Sequence, residues 1–252
     1  TDFCWHCHTG IYSYPIRIAL MYKVPLIFYG EPLGEFSNYY DYESDKIDFE
    51  NEEKFLMLRT LGITAEDMHG MINKSDDPVD IRDLSPYTYP DTEELKKLRY
   101  NPVCLGSFIP WDHHKNTKLI KKELGWKNDE LEGVPDELNE HGEKIECFMQ
   151  GTRDYVKYLK RGYSRVSQIN SLNVRNNRMT PEEAKKSNEK FDGRKPPSME
   201  VFLEYVGLTE EEFNQIIDKT VIPPNKPNYK SNKIAKKTRD FDDWYRENNK
   251  KK

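Results

Sequence analysis

No apolar run in the 252 residues approaches the roughly 20 needed to cross a bilayer, and no signal-peptide pattern opens the chain. A membrane span and an export leader are therefore not expected in it. Cysteine is scarce, with four copies, too few for a disulfide scaffold in a chain of this length. Positive charge is not in excess either. The net charge of −5 argues against a general nucleic-acid coat, while leaving local basic patches open. No internal repeat breaks the sequence into modules.

What is present is enough chain to bury a core, as one large domain or two smaller ones. Hydrophobic residues make up 36% and charged residues 33%, which implies a strongly polar surface. Tyr is over-used at 16 copies, which predicts broad polar-aromatic surfaces. The chain begins at Thr1 rather than Met, with chemistry-bearing residues already at positions 4 to 7. That start predicts the C-terminal part of a longer protein.

The opening stretch organises the rest. Cys4-x-x-Cys7 is followed by a mostly apolar segment at 9–22, read as a helix with Pro15 near its first turn. Residues 24–29 are short, continuous and apolar between Pro and Gly, which suits a buried parallel strand. The strand delivers Glu31 and then Glu35, at the end of a strand where open α/β sheets bind ligands. The Cys pair points to a cytoplasmic metal or redox site; the plain alternative is two ordinary thiols packed beside Trp5.

Residues 36–54 are acidic and Tyr-rich, which reads as a solvated loop, and a short helix is expected at 53–61. Thr64 and Asp67 form a capping box, and Asp91 caps a helix to Leu98. A second strand is expected at 103–109, then a helix from Asn116 to a Gly125 C-cap. Beyond Glu143 only helices are expected: 152–161, one opened by Thr180-Pro181-Glu182-Glu183, one capped by Ser198 and closed by Gly207, and one opened by Thr209 and Glu212. From Val221 the chain is Pro-, Asn- and Lys-rich and reads as a loosely ordered tail, with one helical turn near Trp244.

Three clusters carry chemistry. Cys4 and Cys7, with Cys147 as a third thiol, are the candidate metal ligands. The block Pro110-Trp111-Asp112-His113-His114-Lys115-Asn116 offers acid/base groups or phosphate contacts, against a reading as a capped loop with Trp111 packed on the sheet. Between Tyr155 and Arg178, Lys157, Lys160, Arg161 and Arg165 fall at helical offsets, and Arg175 and Arg178 follow. Guanidinium forks match phosphate oxygens, so this set suits a phosphate or diphosphate; a solvated basic face is the alternative. The helix–Gly–helix pattern at 199–219 is a structural hairpin rather than a DNA reader. Its second helix opens on Glu210-Glu211-Glu212, the wrong charge for a groove.

Cys4-x-x-Cys7, helix, strand and Gly30-Glu31 resemble the middle of PP-loop ATP pyrophosphatases. Longer blocks narrow this: Phe108-Ile109-Pro110-Trp111-Asp112-His113-His114-Lys115-Asn116, Tyr158-Leu159-Lys160-Arg161-Gly162-Tyr163-Ser164-Arg165, Asn177-Arg178-Met179-Thr180-Pro181-Glu182-Glu183-Ala184 and Phe191-Asp192-Gly193. Together they resemble the N-acetyl sugar amidotransferase family of bacterial lipopolysaccharide (LPS) biosynthesis, up to about Lys219. The resemblance implies an α/β class: the C-terminal part of a parallel-sheet PP-loop domain at 1–142, a helical region at 143–220 and a basic tail at 221–252.

The resemblance also implies a reaction. ATP with magnesium would adenylate the acetamido oxygen of an N-acetylated sugar or sugar nucleotide, releasing pyrophosphate. Ammonia from glutaminase and cyclase-like subunits would then displace AMP and leave an acetamidino group. His113, Lys115 and Glu31 are the catalytic candidates. Glu35, Lys160, Arg161, Arg165, Arg175 and Arg178 would hold the nucleotide and its magnesium. A thiolase of tRNA or of a small molecule, holding zinc or an iron–sulfur cluster on Cys4, Cys7 and Cys147, is the competing enzyme reading. A non-catalytic sugar-nucleotide-binding module is the other. The family's Ser-Gly-Gly-x-Asp-Ser phosphate loop does not occur in the sequence, so this chain is not expected to turn over ATP alone.

Overall fold

The computed structural model describes residues 4–30, 62–74, 78–104, 112–127, 131–139 and 147–235. Glu31, Glu35, the stretches at 36–54 and 53–61, Trp111 and the turn expected near Trp244 lie outside the described residues. The class is mixed α/β and mostly helical, with a small parallel sheet of two strands among the described residues. Two compact units divide the chain between Trp111 and Asp112.

In the first unit, helix α1 spans Trp5–Tyr22 and strand β1 spans Leu26–Tyr29. Helix α1 starts four residues earlier than its periodicity implied, which places Pro15 in its interior. Tertiary contacts explain the early start. Trp5 is buried against Ala65 and Leu84, and its indole N–H donates to the Ile63 carbonyl at 2.8 Å. Burial of Trp5, Thr9, Tyr12 and Ser13 anchors the turns before Pro15 despite the missing backbone donor. Helix α2 spans Ala65–Ile72 and carries the expected Thr64–Asp67 capping box. A 3-10 turn at Ile81–Tyr87 leads to helix α3, Thr92–Leu98, capped by Asp91 as expected.

Strand β2 spans Asn101–Cys104 and pairs in parallel with β1, Leu26 opposite Asn101 and Tyr29 opposite Cys104. The expected strand at 103–109 is thus shifted towards the N-terminus, and residues 105–109 lie outside the described set. β1 is not buried on both faces. Ile27 packs on the cluster of Ile16, Leu95 and Tyr100, whereas Leu26 and Phe28 are exposed. Alternation follows because, among the described residues, helices cover only one face of the pair.

The second unit is helical: α4 (His113–Leu124), α5 (Gln150–Arg161), α6 (Arg165–Arg175), α7 (Pro181–Phe191), α8 (Ser198–Val206) and α9 (Glu210–Asp218). The capping boxes at Thr180 and Thr209 form as expected. Two apolar clusters hold the unit. Val166 and Ile169 of α6 pack on Leu131, Val134 and Leu138. Tyr155 and Leu159 of α5 pack on Met199, Phe213 and Ile217, so α8 and α9 form a hairpin with its apolar faces against α5.

Residues 221–235 are tied to these helices rather than loose. Ile222 N–H donates to the Lys160 carbonyl at 2.8 Å, and the Asn225 amide donates to the Leu159 carbonyl at 2.6 Å. The Tyr229 hydroxyl donates to Asp218 at 2.7 Å; burial, then the Asp218 hydrogen bond and charge, push this phenol far up. Ala235 N–H donates to the Lys195 carbonyl at 2.9 Å beside the Lys195–Ile234 bridge. No helix among the described residues is long and apolar enough to cross a membrane.

Candidate functional site

Helix α4 begins at His113, three residues before the expected start, because Asp112 is its N-cap and accepts from the Lys115 N–H at 3.2 Å. The histidine block is therefore the first turn of a helix and not a loop. The other Asp112 oxygen accepts from the Arg178 guanidinium at 2.7 Å, and the Lys115 ammonium lies 3.9 Å away. Burial works against the charge on Asp112, but the Lys115 N–H and the Arg178 and Lys115 charges outweigh it and hold the carboxyl below its ordinary range. His114 Nε2 lies 3.1 Å from Asn173 Oδ1 at the end of α6. The side chain of His113 lies outside the described set.

A second cluster forms where α5 reverses into α6. Gly162 makes the reversal at φ +81°, and a Cβ there would sit 2.8 Å from Asn225 Oδ1. The turn returns Arg165 alongside α5, where its Nε donates to Asp154 at 3.2 Å with both side chains nearly buried. Lys157 stands one helical turn beyond Arg153 and Asp154, its ammonium 5.1 Å from the centre of the Tyr163 ring. Burial lowers the Lys157 pKa; Arg165 and Arg153 push it the same way, against Tyr163 and Asp154.

Beside it, Asp192 is buried at the start of α6. It accepts from the Ser164 N–H at 3.0 Å and from the Ser164 and Ser167 hydroxyls. A carboxylate there answers both the open N–H groups and the positive end of the helix dipole. Gly193 follows at φ +74°, pressed against the Tyr158 ring. Burial, then the Asp192 charge, raise the Tyr158 phenol.

The four sequence blocks thus meet in pairs. Residues 112–116 meet the 177–184 block through Asp112–Arg178, with His114–Asn173 just outside it, and residues 158–165 meet 191–193 through Asp192 and Gly193. Lys115 and Arg178 come together on Asp112. Arg165 is held by Asp154. Lys160 and Arg161 are half-buried near the end of α5, and Arg175 is exposed. Asp112 and His114 stood in the histidine block, Asn173 in the 155–178 stretch and Asp192 in a resemblance block, each without a role of its own; Asp154 was not singled out.

Cys4 is buried at the N-cap of α1, Cys7 is exposed one turn on with its sulfur 3.3 Å from His6 Nε2, and Cys147 is half-buried before α5. Among the described residues, no group of three or more His, Cys, Asp or Glu is placed to hold a metal ion. The donor set for zinc or an iron–sulfur cluster is therefore not assembled among them.

The second unit is a helical module in which a cation-rich turn and two carboxylate-centred networks lie together. Residues 142–243, which include α5 to α9, match the family model described as LPS biosynthesis protein WbpG-like, C-terminal domain. That stretch holds Lys157, Arg165 and Asp192, and of the Asp112 cluster it holds Asn173 and Arg178 but not Asp112, His114 or Lys115. No curated protein matches the chain.

Proposed function

We propose that this chain serves LPS biosynthesis as part of an ATP-dependent amidotransferase acting on an N-acetylated sugar, free or nucleotide-linked. The match of residues 142–243 to the WbpG-like C-terminal domain carries the reading. The chemistry replaces the acetamido oxygen by NH. ATP adenylates that oxygen and pyrophosphate leaves; ammonia adds to the imidate carbon, and AMP departs with the oxygen. Glutaminase and cyclase-like subunits are the proposed ammonia source, and the cytoplasm, where ATP is held, the proposed location.

Cations between α5 and the end of α6 support a phosphorylated substrate, since guanidinium and ammonium groups form charge-assisted hydrogen bonds to phosphate. His114, held by Asn173, and the exposed Lys115, its ammonium 3.9 Å from Asp112, lie in the first turn of α4 as candidate proton-transfer groups. Since the sequence holds no Ser-Gly-Gly-x-Asp-Ser loop, ligand binding is the property to test on this chain. Saturation-transfer NMR with UDP-N-acetylglucosamine should transfer signal to both the acetyl methyl and the uridine protons. Silence from the sugar nucleotide, with binding of tRNA instead, would overturn the reading in favour of a thiolase.

A further inference from the structure

Helix α5 ends on a local cap, in which the Gly162 N–H donates to the Tyr158 carbonyl at 2.7 Å. The segment 221–235 adds to the same turn from far along the chain. Ile222 N–H donates to the Lys160 carbonyl at 2.8 Å, and the Asn225 amide donates to the Leu159 carbonyl, 66 residues away, at 2.6 Å. Asn225 Oδ1 lies where a Cβ on Gly162 would come within 2.8 Å, so the turn and this side chain fit each other closely. The Asn225 N–H donates to the Ile222 carbonyl at 3.1 Å, which folds the two residues into one bracket. The far end of the segment holds the other side of the reversal. Lys233 Nζ donates to the Asp192 carbonyl at 3.3 Å, Lys195 N–H to the Lys233 carbonyl at 2.8 Å and Ala235 N–H to the Lys195 carbonyl at 2.9 Å. Asp192 in turn accepts from the Ser164 N–H at the start of α6. One segment thus holds the end of α5 directly and the start of α6 through Asp192. Ordering irregular chain costs conformational entropy, and here it is ordered on a turn that carries Lys160, Arg161 and Arg165. Cations held in place beforehand lose less freedom when a ligand binds them.

We propose that Asn225 is a positioning residue for phosphate binding: through the end of α5 it fixes the α5–α6 turn that offers Lys160, Arg161 and Arg165 to a phosphorylated substrate. Residues 221–235 are the clasp that holds Asn225 there. The inference rests on the phosphorylated-substrate reading above and names a residue outside the basic run. Asn225 acts through the turn and not on the ligand. By linkage, a ligand that binds the fixed turn stabilises the clasp in return.

The experiment titrates the full chain with inorganic pyrophosphate and with UDP-N-acetylglucosamine by calorimetry at constant ionic strength, and follows amide hydrogen exchange with and without each. Asn225→Leu keeps the side-chain size and removes the amide donor. It should weaken binding of both ligands about fivefold, the worth of one neutral hydrogen bond. In the wild-type chain, ligand should slow exchange of the Ile222 and Ala235 N–H groups by a larger factor than that of Phe213 in α9, a response that a merely structural brace would not give. The exchange measurement decides the matter even where Asn225→Leu lowers Tm. Full affinity in a folded Asn225→Leu, or clasp amides that slow no more than Phe213, would overturn the positioning role and leave the substrate reading standing. A wild-type chain indifferent to both ligands would overturn the substrate reading and the positioning role with it. Binding and clasp protection with pyrophosphate but not with UDP-N-acetylglucosamine would uphold the positioning role and count against the sugar nucleotide alone.

Discussion

Asp112 shows how much one side chain carries. It caps α4, pairs with Arg178 and faces Lys115. Its pKa is lowered in the fold, so its contribution is full above the ordinary carboxylate range near about 4 and is lost as pH falls through the folded value. Asp112→Asn keeps a capping side chain but not the charge. Thermal unfolding of this variant should be less stable than wild type at neutral pH, and the gap should close below about pH 4. An unchanged gap in acid would show that the charge is not what Asp112 supplies. Gly193 is the other exacting position, with a positive φ and the Tyr158 ring where a Cβ would go. Gly193→Ala should cost about 2 kcal/mol or more in denaturant unfolding, from backbone strain and overpacking together; near-neutral stability would mean that the turn relaxes freely. At this scale the sequence was only partly legible. It singled out the histidine block and the basic run, but not which members would meet, because Asn173 and Arg178 reach their partners across 59 and 66 residues.

Helices were legible where their ends are capped locally. Thr64, Thr180 and Thr209 each bond to a residue three further on, so the signal lies within four letters of sequence. Thr180→Ala should destabilise the chain by about 1 kcal/mol in denaturant unfolding. A loss within error would mean that α7 is held by α6 packing alone. Ends capped from far away were not legible. Ser198 was expected to cap its own helix, yet Pro197 holds that position; the Ser198 N–H is taken by Glu132 at 3.2 Å and its hydroxyl lies 2.9 Å from Thr152. The start of α6 is likewise satisfied by Asp192, 28 residues beyond Ser164. Pattern reading assigns a cap to the nearest polar residue, and here tertiary contacts decided otherwise. The early start of α1 has the same cause in the burial of Trp5, and the half-exposed β1 shows that an apolar run does not by itself state how many layers cover it.

Across the molecule, two units with separate cores carry different parts of the argument for function. The first supplies a parallel strand pair with a helix before each strand, which is compatible with the expected α/β class without identifying a PP-loop domain. The second supplies the family match and the cation-rich turn. Composition bears on broad classes, since charge and hydropathy are additive over the chain. The site was less legible, because its groups converge through a reversal at Gly162 and contacts spanning tens of residues. The proposed role in LPS biosynthesis is tested most directly in the cell, by mass spectrometry of the surface polysaccharide with and without the gene for this chain. Loss of the gene should convert an acetamidino-bearing sugar to its acetamido form, restored when the gene is returned. A polysaccharide of identical composition in both would contradict sugar amidination as the function.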